Sequence, residues 1–189
     1  AVTMGETEKP FSLGILVGRF QTIHAGHELM IDTALSLCKQ VGIFVGSSQE
    51  AGTAHNPFSY ETRAMLLRLL FGDRVQIFPL PDIGVGNNGT WGEYVLENVK
   101  AQYGTCPDLL VSGKETRRVS WFDGLEQVRI SELYIPKSID ISASQMRRYF
   151  LENQREQWQQ YTNPALWGQY DALRAMVMES VDNEQTASL

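Results

Sequence analysis

The chain has 189 residues, 43% of them hydrophobic and 20% charged, with a formal net charge of −6. Those values describe one globular domain with an ordinary core and exclude wholesale disorder. A net negative balance also excludes a basic nucleic-acid surface, so an anionic ligand has to be met by a local concentration of Arg, Lys, His and backbone N–H groups.

Residues 1–10 read as a polar, flexible lead-in without a signal-peptide core. The first apolar run, Leu13–Val17, is continuous rather than alternating, which is the pattern of a strand buried on both faces. The same pattern recurs at Val41–Val45, Val75–Phe78, Leu109–Val111 and Leu133–Ile135. Between these runs, apolar residues fall at helical spacing over Gly26–Lys39, Ser59–Phe71, Tyr94–Tyr103 and Ser142–Asn153, with Ser59 as an N-cap. A last helix is expected over Ala165–Met178, and Pro79 and Pro81 are expected to break the third strand. Strand and helix alternate, which predicts an α/β fold: a parallel sheet with helices on both faces. Residues 11–180 then form a single domain, and 181–189 a flexible polar tail. No apolar run approaches the roughly 20 residues that span a bilayer. Cys38 and Cys106 show neither a CxxC nor a paired ligand spacing. The expectation is a cytoplasmic protein with no membrane or nucleic-acid partner.

The most informative stretch follows the first strand: Gly18-Arg19-Phe20-Gln21-Thr22-Ile23-His24-Ala25-Gly26-His27. Gly18 and Gly26 let the backbone approach a ligand, and Arg19 brings a permanent charge. His27 stands at a helix start, where N–H groups and the helix dipole attract phosphate. The alternatives are two histidines satisfied by backbone, or metal ligands lacking a third partner nearby. Ser142 with Gln145 fits a capping box, and Ser144 and Arg147 lie on the first turns of the same helix, which gives a second anion site. Ser112 to Arg118 follows the fourth strand and is the densest basic cluster of the chain, alternatively a solvated surface patch. Gly84 to Gly89 matches GxGxxG but lacks the acidic residue of a dinucleotide fingerprint, and reads as a loop before a helix.

Gly18–His27 resembles the GRFQPxHxGH signature of the nucleotidylyltransferase superfamily, in the form carried by nicotinamide mononucleotide (NMN) adenylyltransferases. Ile141–Arg147 resembles its ISxTxxR motif, with Ser144 at the Thr position. Asn56–Arg63 resembles the NPFTxxER segment, and Asn87–Trp91 the NDxxW stretch that contacts the pyridine nucleotide. Thr22 replaces a Pro, Ser59 a Thr, Thr62 a Glu and Asn88 an Asp. The resemblance spans residues 13–175, leaves no room for a fused catalytic domain, and implies a Rossmann-like fold. It also implies transfer of the adenylyl group of ATP to a pyridine mononucleotide, with release of pyrophosphate. By the same resemblance His24, His27 and Arg147 hold the phosphates as catalytic groups. Gly18, Arg19, Phe20, Gly26, Gly113, Lys114, Arg117, Ser142 and Ser144 bind ATP, and Arg63, Asn88 and Trp91 bind the acceptor. Mg²⁺ is expected on the ATP phosphates, with no protein metal site. The alternatives are another phosphorylated acceptor or a non-catalytic nucleotide-binding regulator, and homo-oligomerisation is left open.

Overall fold

The structure is a computed structural model that describes residues 8–84, 89–113, 121–122 and 129–187. Five strands form the sheet: β1 (Phe11–Gly18), β2 (Cys38–Gly46), β3 (Gln76–Leu80), β4 (Leu109–Ser112) and β5 (Ser131–Tyr134). Every neighbouring pair is parallel, in the order β3-β2-β1-β4-β5. The helices are α1 (Ala25–Leu37), α2 (Tyr60–Phe71), α3 (Gly89–Tyr103), α4 (Ala143–Leu151), α5 (Arg155–Gln160) and α6 (Tyr170–Ala187).

The apolar runs of β1, β2 and β4 do what their pattern predicts, since each feeds two cores. Leu16, Ile43, Val45, Leu109 and Val111 turn to one face, where they meet Ile31 and Ala34 of α1, Leu66 and Leu67 of α2, Met146 and Phe150 of α4, and Leu173 and Val177 of α6. Leu13, Ile15, Phe44 and Leu110 turn to the other, against Trp91, Val95 and Val99 of α3. Each such aliphatic side chain contributes about 1.5–3 kcal/mol on burial. The strand order reverses between β1 and β4, which puts the ligand crevice of such a sheet beyond the carboxyl ends of those two strands.

Several boundaries differ from expectation: α3 begins at Gly89 rather than Tyr94, and β5 covers Ser131–Tyr134 rather than Leu133–Ile135. β3 runs through Pro79, which pairs with Val45, and only Pro81 lies beyond it. β3 is an edge strand, where a residue without an N–H is tolerated. Cys38 opens β2 instead of closing α1. The last helix starts at Tyr170, after a 3₁₀ turn over Pro164–Gln169 that Asn163 caps. It continues through the stretch expected as a tail, as far as Ala187. Contacts with the β2–α2 loop hold that extension: Asn183 Nδ2 donates to Gly52 O at 3.4 Å, and Glu184 Oε1 accepts from Ala54 N at 2.8 Å. Among the described residues no helix is long and apolar enough to cross a membrane.

Candidate active site

A cleft of ≈ 670 Å³ opens at the carboxyl ends of β1 and β4. Gly18, Arg19, Phe20, His24, Gly26, His27, Gly113, Ser142 and Arg147 all line it, so the motif after β1 and the motif at α4 meet at the switch point. A second depression, of ≈ 680 Å³, lies around Arg68, Asp73 and Tyr103 and contains no motif residue.

The loop after β1 enters α1 through its own histidines. His24 is the N-cap, and its Nδ1 accepts from Gly26 N at 3.0 Å. His27 Nδ1 accepts from His24 N at 3.3 Å, which closes a capping box built of two imidazoles stacked 3.9 Å apart. A Cβ on Gly26 would sit 2.9 Å from His24 Cε1, so glycine makes room for the ring. With Nδ1 of His24 accepting from backbone, the hydrogen bond assigns the proton of its neutral ring to Nε2. Both histidines are thus satisfied by backbone at Nδ1. Burial, with the Lys137 charge second, holds the His24 pKa down at about 4, and at neutral pH the ring is an uncharged donor. The helix start itself is less open than the sequence suggests. Ala25 N donates to Tyr161 O at 2.8 Å and Gly26 N is engaged by His24, so side chains rather than free N–H groups face the cleft.

At α4, Ser142 Oγ accepts from Gln145 N at 3.2 Å. The expected capping box is only half formed, because Gln145 Nε2 turns forward to Tyr149 Oη at 3.0 Å. Arg147 is 7% exposed. Its Nη1 donates to Gln21 O and its Nη2 to Ser144 Oγ at 3.3 Å. Ser144 is exposed and does not line the cleft, so its hydroxyl holds Arg147 where direct contact with ATP was expected. Burial, followed by the Arg19 charge, lowers the Arg147 pKa. The His55 pKa is lowered first by Arg19, then by burial and Arg147, with Glu184 opposing. Arg19, His55, Lys137 and Arg147 therefore feel or impose one positive field, inside a protein whose net charge is negative.

Two expected acceptor residues are placed elsewhere. Arg63 is 0% exposed, and its guanidinium is saturated by main-chain carbonyls. Nε donates to Ser59 O at 3.2 Å, Nη1 to Arg19 O at 2.9 Å and Gly46 O at 2.8 Å, and Nη2 to Ser47 O at 3.1 Å and Glu50 O at 3.4 Å. Burial brings its pKa down to about 10, which leaves it charged but with no donor to offer a substrate. Trp91 sits in the second core, edge-on to Tyr94 and Trp121, because α3 needs a large apolar residue to cover β1 and β4. Trp121, not Trp91, lines the cleft. Asn88, Lys114 and Arg117 lie outside the described residues. Thr62, in place of the family's Glu, leaves the α2 cap intact, since Thr62 N donates to Ser59 Oγ at 3.2 Å.

Sequence reasoning also passed over Lys137, Trp121 and Gln21. All three line the cleft, but only Gln21 lay inside a quoted motif. Among the described residues no three His, Cys, Asp or Glu side chains group to hold a metal ion, and the described cleft lining carries no carboxylate.

The sheet order defines a doubly wound α/β protein, with a cationic cleft at its switch point. The cytidylyltransferase-like family model matches residues 15–149, and the chain belongs to that family. Over 90 residues it is 39% identical to a nicotinamide-nucleotide adenylyltransferase of Saccharolobus solfataricus, covering 44% of this chain and 51% of that protein. Over 87 residues it is 40% identical to a nicotinamide-nucleotide adenylyltransferase of Pyrococcus horikoshii, covering 43% and 46%. The chain thus spans about half the length of the curated relatives it matches. A bifunctional NMN adenylyltransferase/ADP ribose pyrophosphatase of Francisella tularensis, crystallised with AMP and a Mn ion, shares the fold. Its TM-score is 0.72 at 23% identity, over 91% of this chain and 51% of that one.

Proposed function

We propose that the protein transfers the adenylyl group of ATP to nicotinamide or nicotinate mononucleotide, forming the dinucleotide and pyrophosphate. The observation that carries this proposal is the convergence of His24, His27 and Arg147, from two distant stretches of chain, on one cleft. The curated relatives matched over part of the chain support the choice of acceptor. A phosphate oxygen of the acceptor attacks the α-phosphorus of ATP in line. The bridging bond to the β-phosphate breaks, and its electron pair leaves with pyrophosphate. The nucleophile is already an anion, so no general base is needed, which suits a His24 that stays neutral. The two imidazoles and the Arg147 guanidinium, held before substrate arrives, donate to the α-phosphoryl oxygens and the departing pyrophosphate, where charge develops. Mg²⁺ belongs to the proposal as cargo of the ATP phosphates, bound mainly by those oxygens and water.

Pyrophosphate release tests the proposal, with ATP and Mg²⁺ set against NMN, nicotinate mononucleotide, phosphopantetheine and glycerol 3-phosphate. The pyridine mononucleotides should react far faster than the other two. Turnover of phosphopantetheine or glycerol 3-phosphate alone would overturn the acceptor, and ATP binding with no turnover of any acceptor would favour a regulator.

A further inference from the structure

We infer that Gln21 is a positioning residue, which couples the buried Arg147 to the 56–63 segment and so sets where that cation meets the triphosphate. Its catalytic consequence rests on the proposed adenylyl transfer. The inference about Arg147 itself does not.

Gln21 is 2% exposed, yet its side-chain amide is fully used at one place. Nε2 donates to Phe58 O at 2.9 Å, and Oε1 accepts from Phe58 N at 2.9 Å. A primary amide paired in both senses with one peptide unit fixes position and orientation together. One residue's side chain therefore does what a short length of strand pairing would do. The main chain of the same residue performs the second task, because Gln21 O accepts from Arg147 Nη1. The other hold on Arg147 is Ser144 Oγ, an exposed hydroxyl at 3.3 Å. The firm anchor of this buried cation is thus a carbonyl whose place depends on the Gln21 side chain.

The segment at the far end of that link is itself tied down. Asn56 Oδ1 accepts from Arg19 Nη1 at 3.2 Å. Arg63, at the other end of the segment, donates to Arg19 O at 2.9 Å. Residues 19–21 are therefore held against 56–63 by bonds at three places, and Arg147 rests on the last residue held. Such a chain is what a phosphate-binding cation needs when no carboxylate orients it. Burial and the Arg19 charge already disfavour Arg147 where it sits, so a loosened carbonyl would let it move away. A misplacement of about 1 Å at a reacting centre can cost about a hundredfold in rate.

The substitution that separates positioning from packing is Gln21→Met, which keeps length and bulk and removes both bonds to Phe58. Turnover is expected to fall about tenfold to a hundredfold, while the KM for the acceptor stays within about twofold. Two readouts need no turnover. By NMR, the Arg147 side-chain N–H resonances, identified by their loss in Arg147→Ala, should broaden and exchange with solvent faster in Gln21→Met than in the native protein. By calorimetry, α,β-methylene-ATP should bind about tenfold more weakly to Gln21→Met, and no more weakly to Gln21→Met/Arg147→Ala than to Arg147→Ala. Equal losses in the two backgrounds, or Arg147 resonances that do not change, would show that Gln21 acts only on the fold and would overturn the inference. Should Gln21→Met not fold, Gln21→Glu carries the same measurements, since it keeps the bond from Phe58 N and loses only the donor to Phe58 O. A native protein that binds the analogue and transfers nothing refutes the proposed function, and the NMR and binding comparisons still decide the role of Gln21.

Discussion

Arg63 and Arg147 are both buried, both donate to main-chain carbonyls of the loop after β1, and both lie in motif segments. They nevertheless do different work. Arg63 directs all of its N–H groups into the protein, at five carbonyls drawn from the loop after β1, from β2, from the loop that follows β2 and from the α2 cap. Arg147 uses two bonds and lines the cleft. The difference lies in where each helix points its side chain. Arg63, in the first turn of α2, is aimed under the carboxyl ends of β1 and β2, whereas Arg147, in the first turns of α4, comes at the loop from the open side. A guanidinium with every donor satisfied is a structural cross-link. One with donors left over, on a cleft whose described lining carries no carboxylate, is placed to receive an anion.

Substitution of the two arginines should separate stability from turnover. Arg63→Ala leaves several buried carbonyls without a donor and should lower stability by about 3–5 kcal/mol in denaturant unfolding. Arg63→Lys should recover little of it, because one ammonium cannot reach carbonyls on several segments. Arg147→Ala should do the reverse, with turnover down by about 10²–10³ and the unfolding midpoint nearly unchanged. If Arg147→Ala proves the less stable of the two, or Arg63→Ala folds normally and loses only turnover, the contrast is wrong.

The histidine beside them gives a pH-dependent effect of intermediate size. The His24 pKa is about 4 in the folded protein, below its ordinary 6.5, so as pH falls the unfolded chain takes up the proton first. The stability that depends on neutral His24 is complete above pH 6.5 and is lost progressively as pH falls toward 4, by up to about 3 kcal/mol. His24→Asn keeps an N-cap side chain and should flatten that part of the stability profile relative to the native protein. Equal profiles would show that the ring is not held neutral. The smallest effect belongs to Ser144→Ala. It removes one exposed, 3.3 Å bond to Arg147 and should cost about 0.5–1.5 kcal/mol, at most about tenfold in turnover.

The fate of the two arginines also marks how far the sequence could be read. Continuous apolar runs marked β1, β2 and β4, because a strand covered on both faces has nowhere to put a polar residue, whereas the runs at the two edge strands overlapped β3 and β5 only in part, β5 beginning at the polar Ser131 and Glu132. His24, His27 and Arg147 were legible because loop and helix-start positions after parallel strands fall at one edge of the sheet. Arg63 was not. In sequence, a cation in the first turn of an amphipathic helix looks the same whether it faces water or the carbonyls of a neighbouring loop. Trp91 and Trp121 could not be ranked either, since which indole faces the cleft depends on how α3 seats on the sheet. Gly92 shows how tight that seating is, as a Cβ there would lie 1.6 Å from Trp121 O. The imidazole capping box was hidden for a further reason: histidine is an uncommon N-cap, and its pairing with His27 is a matter of ring orientation that spacing does not carry. The helical end of α6 was missed because its polar side chains are ordered by bonds to Gly52 and Ala54, far away in sequence.

The most direct test of the account follows the phosphorus atoms of ATP. The protein is incubated with Mg²⁺, NMN and ATP labelled in separate reactions at the α- or the γ-phosphate. Attack at the α-phosphorus predicts that the α label appears in the dinucleotide and the γ label in pyrophosphate, with both products slowed about 10²–10³-fold in Arg147→Ala. A γ label recovered as inorganic phosphate or on the acceptor, or an α label that never leaves ATP, would contradict the adenylyl-transfer account.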